Sequence, residues 1–221
     1  MKRFGGILVC LITLATVGLA GPITVNNPGF ETVTGATWTA CGTGCQFDLT
    51  GTAGGAVFNN WTYLNAAGEF DLTVPNALFN TLSGGGSTGI VGYAGSGVAA
   101  GDIEQSVGTI STAGDTYLLT VAVGQRIGYP TIGTISLLVG GLAVNGSASS
   151  CTPTSGGWAT CTYSYTTVAA DVSKTLTIDL HGSTQATFDD VTLTDSVPEP
   201  STFVFGGLGL LAVAKLARRR K

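Results

Sequence analysis

Positive charge is nearly missing from the middle of this 221-residue chain. Of nine Lys and Arg, seven sit at the two ends, and only Arg126 and Lys174 lie between them. All thirteen Asp and Glu fall within residues 21–200, so two cations face thirteen acids and that segment carries a net charge of −11. So acidic a surface repels a phosphate backbone, which excludes nucleic acid as a partner. Histidine is limited to His181 and methionine to Met1. Long apolar runs are confined to the ends, and no amphipathic helix of useful length can be drawn between them. The abundant residues are Gly, Thr, Ser, Val and Leu, a composition that favours strands and turns.

The ends carry their own logic. Lys2 and Arg3 precede an apolar run over residues 7–19, and Gly18, Leu19 and Ala20 supply small residues before a cleavage point. This is the pattern of a signal peptide over residues 1–20, cut by signal peptidase between Ala20 and Gly21. At the other end, Val197, Pro198, Glu199 and Pro200 lead into an apolar run over residues 203–214 and a cluster of Lys and Arg at residues 215–221. The prolines deny that stretch a regular backbone ladder. The apolar run predicts a short transmembrane helix at about residues 203–217, held on the cytoplasmic side by the terminal cations. Lys215 leaves twelve clean apolar positions, short for a permanent span and better suited to a transient anchor.

This tripartite tail, residues 197–221, resembles the PEP-CTERM sorting signal of Gram-negative bacteria. The resemblance implies processing by an exosortase at Val197–Pro198–Glu199–Pro200 and a transient stay in the inner membrane. Release to the cell surface or extracellular matrix would follow, commonly alongside exopolysaccharide.

Residues 21–196, about 180 of them with the Pro-rich break, suffice for one domain with a substantial core. Cys10 leaves with the signal peptide, so Cys41, Cys45, Cys151 and Cys161 remain. In an exported chain four cysteines predict two disulfides, and local pairing (Cys41 with Cys45, Cys151 with Cys161) is preferred among three connectivities. A metal site is the alternative, but no His lies close to Cys41 and Cys45. A first short strand is expected over residues 23–26 and a long pinned loop over residues 32–55. Clear period-two alternation follows at residues 117–123, 135–139, 158–165 and 175–181, with Leu119, Val121, Leu137, Ile178 and Leu180 among the inward positions. The fold class expected is all-β, an antiparallel two-sheet sandwich.

Asn27-Pro28-Gly29-Phe30-Glu31 is similar to the opening strand of galactose-binding-like jelly rolls, a group with many carbohydrate-binding modules. Residues 103–107, 114–119 and 188–193 resemble further strands of that group in the same order. The resemblance implies a jelly roll and one structural Ca²⁺. Its ligands would be Glu31 with Asp189 or Asp190, and Glu69 or Asp71 as a further donor. Two or three carboxylates with backbone carbonyls make a sensible Ca²⁺ shell.

Two other constellations stand out. Trp61 and Tyr63, beside Asn59 and Asn60, could stack on sugar rings, although large aromatics equally serve a sandwich core. Arg126 and Tyr129 form a second such cluster. A G-x-S-x-G match at residues 85–89 lacks the strand before it and the helix after it that a nucleophile elbow requires. His181, on the polar side of a strand, shows no orienting partner in the sequence. No nucleophile–base or metal constellation emerges, so the sequence predicts a non-catalytic, exported surface or matrix protein. The alternative is a calcium-stabilised carbohydrate-binding module.

Overall fold

The computed structural model describes residues 21–197 except 33–36, 41–45, 49–55, 73–77, 81–88, 97–98 and 130–132. The signal peptide, Cys41, Cys45, the helix expected at 203–217 and the Pro-Glu-Pro tail therefore lie outside the described residues. Residues Ala20–Ser196 form a compact unit of their own. Among the described residues no helix is long and apolar enough to cross a membrane.

The elements in chain order are β1 (Gly21–Ile23), β2 (Thr39–Ala40), β3 (Gln46–Asp48), β4 (Ala56–Phe58), β5 (Trp61–Asn65), β6 (Ala67–Asp71), β7 (Ile90–Ala94), β8 (Gly101–Thr109), β9 (Thr116–Gly124), β10 (Thr134–Val139), β11 (Leu142–Ala143), β12 (Ser147–Ala148), β13 (Trp158–Thr166), β14 (Thr175–Gly182) and β15 (Ala186–Ser196). A single 3₁₀ turn at Ala169–Asp171 links β13 to β14. One sheet runs β12-β13-β9-β15-β7-β6-β3-β2, with β1 also on β15; the other runs β11-β10-β14-β8-β5-β4. All these pairings are antiparallel, so the molecule is the expected two-sheet jelly-roll sandwich. The first strand starts earlier than the sequence suggests, at Gly21. Within the stretch expected to be a loop, β2 and β3 form by backbone pairing to each other and to β6. Their shortness leaves no alternation to detect.

The core fills the space between the sheets. Leu119, Val121 and Val123 of β9, Leu137 of β10, Ile178 and Leu180 of β14 and Phe188 of β15 all turn inward and are buried, as the alternation predicts. Two positions hold this core to the N-terminal turn. Phe30 is fully buried and stacks on Trp61, with ring centroids 5.1 Å apart. Trp61 Nε1 donates to the Asn27 carbonyl at 2.9 Å. Gly92 of β7 is required beneath this stack, because a Cβ there would sit 2.7 Å from the Phe30 ring.

The same turn repairs a gap in the larger sheet. Residues 186–188 of β15 pair with β7 on one edge, and residues 193–195 pair with β1. Between them a bulge interrupts the pairing with β9, with Asp190 at φ +49°. There Val191 N donates to the Pro28 carbonyl at 2.9 Å. Asn27 itself sits at φ +49°, and its side chain holds the turn shut by accepting from Thr32 N at 2.9 Å. Asn tolerates this left-handed conformation better than most residues. The motif that opens the domain is thus a plug and a patch together.

The crossover from β13 to β14 has a polar clasp. Tyr165 Oη donates to Asp171 Oδ2 at 2.7 Å, and Val168 N donates to the same oxygen at 2.9 Å. These bonds hold the Asp171 carboxyl below its usual range, the tyrosine bond being the largest cause. The same bond pushes the Tyr165 phenol up to about 12.

Two outcomes follow for stability. Trp61→Ala should cost about 3–5 kcal/mol, the usual range for deleting a buried Trp, read by urea denaturation of residues 21–197; a cost near zero would mean the ring is not a core element. Asp171→Asn should lower the midpoint of denaturation most near neutral pH, where Asp171 is ionised and Tyr165 protonated. The clasp's contribution is lost as pH falls through the lowered Asp171 value, and at the alkaline end as pH rises from 10.0 to about 12. Wild type and variant should therefore converge in acid; a gap that ignores pH would rule the clasp out.

Candidate functional site

The larger sheet has a second apolar face, turned away from the sandwich interior. Alternation along β6 sends Ala67 inward and Phe70 outward; along β7, Val91 and Tyr93 point outward. Leu72, Leu78 and Phe79 join them, with Phe47 and Trp158 packed at the margin. A strand face exposed to water has no need of so many large side chains, which marks this one as covered or occupied.

Part of it opens into a cleft of about 330 Å³ lined by Phe47, Phe70, Tyr93, Ser96, Arg126, Tyr129 and Gln185. Phe70 and Tyr93 stand side by side, with ring centroids 4.3 Å apart and a 30° tilt. The polar side comes from two loops. Backbone bonds anchor the first: Gln125 N donates to Gly157 O at 3.0 Å, Ile127 N to Leu78 O at 2.8 Å and Tyr129 N to Arg126 O at 3.1 Å. The second is the turn into β15, where Gln185 N donates to Gly95 O at 2.9 Å. Across the two, Arg126 Nη1 donates to Gln185 Oε1, and the guanidinium carbon lies 4.5 Å over the Tyr129 ring. Burial pulls the Arg126 guanidinium below its usual value, with Tyr129 opposing. Chemically the cleft offers flat apolar walls and a fixed group of donors at one end, a design suited to a ring-bearing small molecule.

The residues singled out from sequence meet varied fates. Arg126 and Tyr129 do come together, as part of this cleft. Trp61 and Tyr63 are fully buried, so neither ring offers a face to a sugar at the surface. Tyr63 instead crosses the sandwich to donate to Glu69 Oε1 at 2.8 Å. Cys151 and Cys161 are joined in a disulfide. Glu31 and Asp189 converge on Gly29, whose Cβ, were there one, would lie 3.5 Å from Glu31 Cγ and 3.4 Å from Asp189 Oδ1. Asp189 is completely buried and accepts from Asp190 N at 2.8 Å. Asp190 lines a separate groove with Thr120, Trp158 and Thr192. Among the described residues, no three His, Cys, Asp or Glu side chains gather as a metal cluster.

His181 gains the partner that the sequence does not reveal: Asp102 Oδ1 lies 2.5 Å from its Nδ1. The pair belongs to a polar row on the outside of the smaller sheet, with Asp179 and Glu104 on the next rung. Burial raises both of those carboxyls, helped by their neighbouring acids. Ser136 spends its hydroxyl on Asp179, at 2.8 Å. Ser87 of the G-x-S-x-G stretch is outside the described residues.

Comparison with known proteins decides the class. The HpiC1 cyclase model matches residues 21–194. The chain belongs to the HpiC1-like cyclase family. This overturns the expectation of a non-catalytic protein, which rested on finding no nucleophile–base pair or metal set. The residues that line the cleft come from five separated segments, so no short motif could report them. The PEP-CTERM protein-sorting motif matches residues 196–221, making this HpiC1-like chain an exported one with a tail of the kind exosortases process. No curated relative matches by sequence.

Among solved structures, the domain is similar to a cyclase from Fischerella sp. TAU in complex with 4-(1H-indol-3-yl)butan-2-one. That likeness has 19% identity, covers 81% of this chain and 100% of the other, and has a TM-score of 0.57. The Stig cyclase Fisc from Fischerella sp. TAU, in complex with (3Z)-3-(1-methyl-2-pyrrolidinylidene)-3H-indole, matches at 20% identity and TM-score 0.56, over 80% of this chain and 98% of the other. An apo cyclase from Fischerella sp. matches at 18% identity and TM-score 0.56, over 80% and 97%. At such identities the shared feature is the fold.

Proposed function

We propose that this exported HpiC1-like protein is a cyclase-family enzyme whose aromatic cleft binds a flat, largely apolar, ring-bearing small molecule. The observation that carries the reading is the cleft itself, with Phe47, Phe70 and Tyr93 as walls and Arg126, Tyr129 and Gln185 as a polar end. Closing a ring requires the reacting atoms of a flexible molecule to be held in one folded conformer, and rigid apolar walls supply that constraint. They also exclude water from any electron-poor intermediate, and aromatic faces stabilise positive charge placed over them. The indole ligands of the Fischerella cyclases make 3-substituted indoles sensible first probes.

We infer further that signal peptidase cuts between Ala20 and Gly21 and that an exosortase acts at Val197–Pro198–Glu199–Pro200. Passage through the inner membrane by way of residues 203–217 would precede release to the surface or matrix, where exopolysaccharide is a neighbour. A structural Ca²⁺ between Glu31 and Asp189 also fits the chain. Asp189 Oδ1 and Glu31 Cγ both lie beside Gly29, and a cation bound near there would offset the burial of Asp189. It would tie the opening turn to β15.

In a titration with 4-(1H-indol-3-yl)butan-2-one followed by saturation-transfer NMR, the protein should show saturable binding that Phe70→Ala weakens about tenfold, or roughly 1.4 kcal/mol. Absence of saturable transfer from that compound and from related 3-substituted indoles would sink the cleft reading. For the metal, millimolar CaCl₂ should raise the melting temperature of the wild type by several degrees and leave that of Asp189→Asn unmoved. Equal responses in both proteins would remove Asp189 from the site.

A further inference from the structure

Among the described residues, the cation of the cleft has no counter-ion. Arg126 is one of two cations in residues 21–200, against thirteen acids, yet no acid among the described residues pairs with it. Its described partners are neutral: the Gln185 amide oxygen and the Tyr129 ring. Its Nε is buried and has no acceptor among the described residues. Burial lowers the guanidinium from its usual value and Tyr129 opposes it, with no carboxylate of the described residues among the causes. Glu69 and Asp71 flank the wall residue Phe70 on β6, so the alternation that sends Phe70 outward sends them to the other face of the sheet, where Glu69 Oε1 accepts from Tyr63. The undescribed residues 97–98 and 130–132, adjacent in sequence to Ser96 and Tyr129 of the cleft, contain no Asp or Glu.

A half-buried guanidinium left without an anion is costly in a chain that has acids to spare. Gln185 and Tyr129 orient the group without neutralising it. Its planar fork retains donors beyond the one spent on Gln185, in the arrangement that matches a carboxylate or phosphate. We propose that Arg126 reads a negative charge on the ligand, so that the cleft takes ring-bearing acids: an aromatic body against Phe70 and Tyr93 and an anionic group on the guanidinium. The inference rests on the cleft being the ligand site and adds the charge of the ligand to it. Arg126 is then a specificity-determining residue that separates anionic substrates from neutral ones of the same shape.

The test uses a matched pair of probes, 4-(1H-indol-3-yl)butanoic acid and 4-(1H-indol-3-yl)butan-2-one, titrated into the purified protein by calorimetry at pH 7 and low salt. The acid should bind at least about tenfold more tightly, a preference that shrinks in high salt. It should also shrink as pH falls through the acid's own pKa of about 4–5, a readout that needs no mutation. In Arg126→Gln the acid-to-ketone ratio should fall to about one, and Arg126→Lys should restore part of it. Thermal melts confirm that each variant is folded. Equal affinities for acid and ketone in the wild type would overturn the role of Arg126 while leaving the cleft intact as a ring site. A preference for the acid that survives Arg126→Gln would also overturn it. Failure of both probes to bind would remove the cleft reading, and this inference with it.

Discussion

The stack of Phe30 on Trp61 is the contact on which the rest of the domain depends. It joins the opening turn to the smaller sheet through β5 and to the larger sheet through Gly92, beneath the Phe30 ring. The same turn supplies the carbonyl that caps the bulge in β15. A long central strand that changes partners along one edge must leave backbone groups unpaired at the change-over, and unpaired buried groups are expensive. Here Asn27, Pro28 and Phe30 solve the problem with one tight turn. Glu31 and Asp189 both approach Gly29 of that turn, each from one side of the repair.

From this scaffold the cleft follows by simple alternation. Once the inner face of the larger sheet is committed to the core, Phe70 and Tyr93 have only the outer face available. Two anchored loops then carry Arg126, Tyr129 and Gln185 to the rim. The cleft lies along β6 and β7, whose pairing is continuous from Ala67 to Asp71, while the groups at its rim come from loops. That division between a rigid sandwich and loop-borne polar groups is how one fold serves different chemistry.

Much of the fold was legible in the sequence. Residues 117–123 and 175–181 alternate cleanly because each strand has one face in the core and one in water. The opening Asn-Pro-Gly-Phe-Glu, similar to the first strand of galactose-binding-like jelly rolls, lies in a turn after β1 and not in a strand. Legibility failed where a pattern had two meanings. Trp61 beside Asn59 and Asn60 suits a sugar platform or a core anchor equally, and only the packing against Phe30 distinguishes them. The cleft was half visible: Arg126 and Tyr129 are three residues apart, but Phe47, Phe70, Tyr93 and Gln185 reach them through sheet pairing. Asp102 and His181 were hidden for the same reason, being opposite each other only in the register of β8 and β14.

By itself the sequence determined what local order and composition can encode: the sorting motif at the C-terminal end, the acidic stretch before it, the all-β class and the inward and outward faces of its longer strands. These depend on charge counts, apolar runs and a two-residue period, all of which are one-dimensional. Tertiary structure decided which aromatics are core and which are wall, that Glu31 and Asp189 both approach Gly29, and that, among the described residues, Arg126 stands with rings and an amide and no acid. Those outcomes depend on strand register and on which sheet each strand joins, and neither is set by any residue's immediate neighbours.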